Sequence, residues 1–225
     1  MLRILIPFFP NASIFFSDGV IIVSIISVIY GSIIAIMQED IKKMIAYSSV
    51  AHMGFVTAGI FSLNQIGISA SVFQMFSHGI VSSALFLCIG VLYERLHSRN
   101  FKDFGGITKK MPSFAIVLMV FTMSSAGLPA TSGFIGEFMT IVSVYQKSFY
   151  FSLAIAFSVI FGALYMLYMY KKTMFGKASN PEIAHLKDLT KYEKFSLYSL
   201  SIITIGTGVY PNSILKFVPN LGLIF

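Results

Sequence analysis

Three side chains in this 225-residue sequence have the chemistry to carry a proton through a place where protons are hard to hold. His52, His78 and Glu137 each lie inside a long apolar stretch. Ionisable groups in a hydrocarbon environment are costly, and they usually face a bundle interior or a wet cavity that serves a pathway. An imidazole donates at one nitrogen while it accepts at the other, so a histidine can pass a proton on as well as hold one. A carboxylate at such depth must be protonated or have a cationic partner. Glu137 is therefore the strongest of the three candidates, because a lone histidine on a helix also serves as a hydrogen-bonding partner for a serine or carbonyl on its neighbour. At about 1.5 Å per residue, His52 lies about 13 Å inside one end of its helix, with Glu137 about 15 Å and His78 about 18 Å from the opposite ends of theirs. The three groups could share a level near the membrane midplane, where such a row would relay protons.

The elements that must hold them are transmembrane helices. Hydrophobic residues make up 56% of the chain and charged residues 11%, with a mean hydropathy of +0.81; an ordinary soluble domain is about 25% charged. The uncharged runs are long enough to cross a hydrocarbon core of about 30 Å, which takes about 20 helical residues. The sequence predicts an all-α polytopic membrane protein with six spans: helix A over 19–38, B over 44–63, C over 66–93, D over 111–146, E over 148–170 and F over 195–215. Residues 1–18 read as a short lead-in ending in candidate caps Ser17 and Asp18, residues 171–194 as a polar loop and 216–225 as a tail. Basic residues accumulate on the cytoplasmic or matrix side of membrane proteins. Of 16 Lys and Arg, 13 fall in the A–B, C–D and E–F connections, which puts those loops inside and both termini outside. The same asymmetry accounts for the basic pI, so the expected partner is the lipid bilayer and not nucleic acid.

Helix D stands out, since 36 residues without Lys or Arg exceed one crossing. Within it, Gly127-Leu128-Pro129-Ala130-Thr131-Ser132-Gly133 predicts a break, with Pro129 removing a donor and clashing with the carbonyl of Ser125. Irregular backbone at membrane depth must be buried in protein or line a cavity, and transporters place binding sites at such broken helices. Gly127, Pro129 and Gly133 are thus the candidate break residues, two turns ahead of Glu137. On helix C, the small residues Ser71, Ser77, Gly79, Ser82, Ser83 and Ala84 surround His78 and suggest close helix packing.

Other chemistries find little support. One cysteine, Cys88, allows no internal disulfide and no cysteine-based zinc or iron–sulfur site, and there is no dinucleotide fingerprint or phosphate loop. The expectation is no metal and no cofactor on this chain. His97 and His185 fall in polar loops, and Asn180-Pro181-Glu182 reads as the start of a short surface helix. Met1–Pro10 has one positive charge, a short apolar run and no small-residue cleavage site, which argues against a signal peptide.

Several motifs in order give these features a family. The run Asp40-Ile41-Lys42-Lys43-Met44-Ile45-Ala46-Tyr47-Ser48-Ser49-Val50-Ala51-His52-Met53-Gly54-Phe55 resembles the signature of the antiporter-like subunits of respiratory complex I. His78-Gly79-Ile80-Val81-Ser82-Ser83-Ala84-Leu85-Phe86-Leu87, Tyr93-Glu94-Arg95 and Gly127 to Phe138 continue the resemblance. It implies a fold with two inverted five-helix repeats, each with one broken helix. Helices A to E then correspond to the second repeat, with D as its broken member, and F to the last helix of the fold. In the family, the acidic residue of the second broken helix carries protons, which maps onto Glu137, and the histidines of the two preceding helices join the buried polar axis, which maps onto His52 and His78.

The resemblance implies a non-redox, proton-translocating membrane-arm subunit, with NADH, FMN, iron–sulfur clusters and ubiquinone handled by other subunits. The first repeat has no counterpart here, so the expectation is half of a split subunit whose missing half is a separate chain among other membrane-arm partners. The alternatives are a subunit of an Mrp-type cation/proton antiporter or membrane-bound hydrogenase, or a purely structural scaffold. Three arginines against 13 lysines, with abundant Phe, Ile, Ser and Tyr, suit an organelle-encoded protein of the mitochondrial inner membrane, and a bacterial plasma membrane is the alternative.

Overall fold

The computed structural model describes residues 1–177 and 180–218. Among these the chain forms helices α1 (Leu5–Phe8), α2 (Pro10–Ile36), α3 (Ile41–Phe61), α4 (Gln65–Leu96), α5 (Pro112–Ser125), α6 (Ser132–Lys147), α7 (Phe149–Met174), α8 (Lys191–Val209) and α9 (Asn212–Leu215). Short 3-10 turns interrupt the loops, one of them over Pro181–His185 where the sequence suggests a surface helix, and Asp40 and Asn100 form an isolated bridge. Most of the predicted tail, 219–225, lies outside the described residues.

Four helices, α2, α3, α4 and α7, are long and apolar enough to cross a membrane alone. Predicted helix D is two helices, α5 and α6, of 14 and 16 residues, each shorter than one crossing requires. Helix α8, the counterpart of F, starts with Lys191, Glu193 and Lys194 in its first turn and falls outside that set of four.

The helix starts follow their caps. Asp40 accepts hydrogen bonds from the N–H groups of Lys42 and Lys43, so α3 begins at Ile41 and not at 44. Thr190 and Glu193 form a capping box that starts α8 four residues before the predicted 195. Helix α2 begins at Pro10, nine residues before the predicted 19, because proline fits a first helical position whose N–H has no partner in any case. Ser17 and Asp18 are therefore inside a helix and not caps. Ser17 donates back to the Ile14 carbonyl at 2.7 Å, and Asp18 receives Lys147 of α6 at 2.8 Å.

Close crossings hold the bundle together, and they occur where a side chain would not fit. A Cβ on Gly54 would lie 2.9 Å from the Ser24 carbonyl oxygen, which fixes α2 against α3, and one on Gly67 would lie 2.3 Å from the Gly59 carbonyl, which fixes α3 against α4. The small residues around His78 do not form one packed face: Ser71, Ser77 and Ala84 are buried, whereas Gly79 and Ser83 are exposed and nothing lies within 4 Å of a Cβ at Gly79. Alternation of small residues cannot reveal which way a helix is rotated, and here the rotation divides the set.

Apolar burial falls into two clusters. One gathers Met44, Leu85, Leu92, Phe114, Phe121 and Met166 with the inner loops, and the other gathers Ile21, Val28, Phe55, Phe61 and Ile155 at the opposite end. The candidate polar residues lie between them. Two polar ties close the ends. At the outer end Lys147 joins Asp18 and the Ser17 hydroxyl. At the inner end Arg95 grips Glu193 with both guanidinium nitrogens, at 2.9 and 2.8 Å, and this fork holds the Glu193 carboxyl well below its usual range, at about 2. Asp188 caps α5 from across the loop by accepting from the N–H groups of Ser113 and Phe114 at 3.0 and 3.3 Å. Burial alone would push the Asp188 carboxyl up, but the hydrogen bonds from Leu189, Ser113 and Phe114 outweigh it and lower the group.

Candidate functional site

The break that carries the site is made by glycine more than by proline. Helix α5 has already ended at Ser125 when the chain reaches Pro129. Gly127, at φ +78°, takes the left-handed position that ends many helices; its N–H bonds the Ser124 carbonyl at 3.2 Å and that of Leu128 bonds the Met123 carbonyl at 3.0 Å. The expected clash of Pro129 with Ser125 does not arise. Pro129 instead opens a tight turn in which the Thr131 N–H bonds the Leu128 carbonyl at 3.1 Å, with Ala130 at φ +70°, the pattern of a type II turn. Gly133 then lies in the first turn of α6, where its N–H donates to the Ser124 hydroxyl at 3.3 Å. Helix α8 closes against one side of the break, where a Cβ on Gly208 would lie 2.4 Å from the Thr131 carbonyl carbon, while Leu128, Pro129 and Ala130 at the turn are exposed.

Against this break the structure brings the three candidates together. His52 Nδ1 lies 2.9 Å from Glu137 Oε1, and His52 Nε2 lies 3.1 Å from the Ser125 hydroxyl. Both members of the pair are buried, His52 at 7% exposure and Glu137 at 5%. The other carboxylate oxygen, Oε2, packs against Gly127, where an added Cβ would be 3.2 Å away. Glycine at 127 thus ends α5 and leaves room for the acid. The His78 ring of α4 stands 5.3 Å from that of His52 on α3, centroid to centroid, tilted by 44°, and no hydrogen bond joins the two.

Four contributors carry little signal of their own in the sequence. Ser125 is one of many serines, and only the helix end turns its hydroxyl to His52. Tyr165 of α7, fully buried, is paired with Ser48 and lies within electrostatic reach of Glu137. Gln74, 2% exposed, has the one buried side-chain oxygen or nitrogen without a hydrogen-bond partner among the described residues, its Oε1. Its position one turn before His78 was the available clue. Gly136 makes room for this amide, since a Cβ there would meet Gln74 Oε1 at 2.2 Å. A cavity of about 10 Å³ runs between His52, His78, Gln74, Ser77 and Ser125. That is room for about one water, and polar walls of this kind are what a buried water needs.

Chemically, the arrangement is a proton couple with a continuation. When Glu137 is ionised, His52 donates to it through Nδ1 and takes the Ser125 hydroxyl proton as a hydrogen bond at Nε2. When His52 becomes imidazolium, both nitrogens donate, and the pair becomes a buried ion pair that needs both partners.

Comparison with known proteins bears on the family and the fold. The family model described as NADH:quinone oxidoreductase/Mrp antiporter, TM, matches residues 1–162. The chain belongs to that family. NADH-quinone oxidoreductase subunit M of Rickettsia prowazekii is 52% identical over 215 residues, which cover 96% of this chain and 44% of that protein. NADH-ubiquinone oxidoreductase chain 4 of Chondrus crispus is 44% identical over 96% of this chain and 44% of its own length. Among solved structures, respiratory complex I from Thermus thermophilus with bound NADH contains a chain with TM-score 0.88 and 27% identity, covering 95% of this chain and 45% of that one. A chain of the Mrp complex from Dietzia sp. DQ12-45-1b shares the fold, with TM-score 0.81 at 19% identity. This family member therefore has the antiporter-like helical fold and spans less than half the length of the relatives it matches.

Proposed function

We propose that this chain is a non-redox, proton-translocating part of an antiporter-like subunit of a respiratory NADH:quinone oxidoreductase, in which Glu137, His52 and His78 carry the proton. The observation that carries the reading is the buried His52–Glu137 contact of 2.9 Å at the break between α5 and α6. A pair used only for packing would be replaceable by apolar side chains at little cost. Here it opens instead onto a polar cavity and a second imidazole. The mechanism follows from the contacts. A proton reaching His78 passes through a water in the cavity to the Ser125–His52 side, and His52 delivers it to Glu137. A change of charge in the other half of the fold then favours the ionised or the neutral form of Glu137, which loads or releases the proton. Electron transfer from NADH through FMN and iron–sulfur clusters to ubiquinone occurs on other subunits in this reading, and this chain holds no cofactor.

The neighbours are other membrane-arm subunits, and the half of the fold that the relatives carry beyond this sequence completes the path. That half is a separate chain or a continuation of this one. The size of the polypeptide in the assembled complex distinguishes the two. The membrane is the mitochondrial inner membrane with the basic loops in the matrix, in preference to a bacterial plasma membrane, on the Lys-rich and Arg-poor composition.

Glu137→Gln tests the reading because it keeps the size and a hydrogen bond to His52 but cannot release a proton. The expected result is an assembled complex whose NADH-driven proton uptake into vesicles falls at least about tenfold, the loss of a transition-state term of about 1.4 kcal/mol or more. Normal pumping by an assembled variant would leave the chain a structural scaffold. Migration of the chain on native gels in a complex without NADH dehydrogenase activity would point to the Mrp-type alternative.

A further inference from the structure

On the inner rim, away from the buried pair, is a hollow of about 420 Å³ whose walls include Lys102, Lys171, Lys172 and Lys177 with the rings of Phe101 and Tyr168. Its lysines are gathered by construction and not by chance crowding. The C–D loop is fastened to the end of α7 where the Thr108 hydroxyl donates to the Met174 carbonyl at 2.7 Å. Gly105, at φ +136°, lets the same loop run against the Lys177 carbonyl, which an added Cβ would meet at 2.4 Å. These two contacts place Lys102 of the loop beside Lys171 and Lys172 in the last turn of α7 and Lys177 just beyond it, around a single space.

The charge in that space is poorly balanced. Glu39 pairs with Lys102 at 3.2 Å on the open surface. Lys172 lies 5.6 Å from the Tyr168 ring centre, and among the described residues no carboxylate forms an ion pair with Lys171, Lys172 or Lys177. The hollow also leads onto an apolar track. Leu153, Phe157, Ile160 and Leu164 of α7 are each more than half exposed, and their spacing of four, three and four residues puts them on the face that ends at Tyr168. From 153 to 168 the track is about 22 Å long, more than the depth of one leaflet, about 15 Å.

We propose that this hollow binds the phosphate of an anionic phospholipid, whose acyl chains lie along the exposed face of α7. Basic pockets at the inner ends of membrane helices attract anionic headgroups at about 1 kcal/mol per lysine, and tyrosine sits well at the headgroup level. A free phosphate would use the lysines but not the track. A zwitterionic lipid would use the track but gain little from three unpaired lysines. The inference is independent of the proton path.

The test uses the intact complex containing this chain, purified in mild detergent and exchanged into nanodiscs of phosphatidylcholine with a minor share of phosphatidylglycerol. Tightly held lipid is counted by native mass spectrometry. The variant K102Q/K171Q/K172Q/K177Q is compared with K42Q/K43Q/K109Q/K110Q, which removes the same charge elsewhere on the inner side. Wild type and control retain phosphatidylglycerol selectively, and the fourfold hollow variant loses that selectivity. Each single replacement weakens retention about fivefold. If the fourfold variant does not assemble, K171Q/K172Q gives the same readout with half the charge removed. Equal phosphatidylglycerol retention by variant and wild type overturns the proposal. So does saturable binding of inorganic phosphate, followed by phosphorus NMR, that is lost in the variant while its lipid content stays unchanged, because the hollow would then be a free-anion site.

Discussion

Gly133→Ala adds one methyl group where the break is tightest, and its consequence can be worked through from the contacts. The new Cβ would stand 1.9 Å from the Ser124 carbonyl oxygen and 2.9 Å from its carbonyl carbon. Both atoms belong to backbone, so no rotamer change relieves the clash, and α5 and α6 must separate by about 1.5 Å to restore ordinary contact. Overpacking of this kind costs about 1–3 kcal/mol, while alanine in place of glycine in a helix returns up to about 1 kcal/mol. The net expectation is about 1–2 kcal/mol of lost stability. Function should suffer more. Ser125 follows Ser124 directly, and its hydroxyl is 3.1 Å from His52 Nε2. An added ~1.5 Å takes that contact beyond hydrogen-bonding range, leaving His52 free to turn away from the axis. Losing one orienting hydrogen bond of about 1.4 kcal/mol predicts about a tenfold slower proton uptake. The assay is NADH-driven acidification of vesicles alongside the thermal melting of the purified complex. Gly162→Ala is the control, because its Cβ would meet only the Tyr165 hydroxyl at 3.9 Å. Wild-type pumping and melting in Gly133→Ala would refute the idea that a tight break holds His52 in line.

Two further perturbations probe the supports of the site. Gly208→Ala drives a Cβ of α8 to 2.4–2.6 Å from the backbone of Thr131 and Ala130, so the complex should lose about 1–3 kcal/mol and show slower proton uptake, although the residue touches none of the proton-carrying groups; an unchanged melting temperature would show that α8 does not brace the break. At the inner end, Glu193 has an ordinary value of 4.5 and a folded value of about 2 set by Arg95. A lowered carboxyl contributes stability that is fully present above 4.5 and is lost as pH falls towards 2. Chemical denaturation of wild type and Glu193→Gln across pH 2–6 should therefore converge towards the acid end, with the wild type the more stable near pH 6, and parallel curves would remove the pair from the account of acid sensitivity.

The sequence made the candidate proton-carrying groups legible because their cost in hydrocarbon leaves so few reasons for them to be there. His52, His78 and Glu137 can be picked out by type alone, and their shared level followed from helix rise. Their partners could not be read in the same way. Ser125 and Gln74 are polar residues of common type whose roles depend on helix rotation and on which helix lies opposite. Tyr165 is 28 positions beyond Glu137, on a helix whose apolar periodicity gives no hint that one phenol faces the acid. Local signals also misplaced boundaries where two of them competed. Ser17-Asp18 has the chemistry of a cap, but the apolar run beginning at Ile14 continues through it, and a proline at the first position lets the helix start earlier. At the break, Pro129 drew the eye, yet the helix had already stopped at a glycine with positive φ.

That last difference changes what the break is for. A proline kink would leave carbonyls to be satisfied by water, and a watery gap would follow. Here the turn satisfies Met123, Ser124 and Leu128 with its own N–H groups, and α8 covers Thr131. The cavity beside it has room for about one water. A break whose freed backbone groups are met by its own turn does not depend on water for its shape. It can act as a rigid frame. Gly127 leaves the space that Glu137 Oε2 fills, Gly133 sets the distance between α5 and α6, and Ser125 at the very end of α5 holds His52. In the proposed path each proton step would be confined to groups whose positions the frame fixes, so that a change in charge alters the occupancy of Glu137 and not its address. The small cavity follows from the same logic: one water between His52 and His78 is enough for a hop, and a wider gap would let protons leak past the acid that is meant to control them.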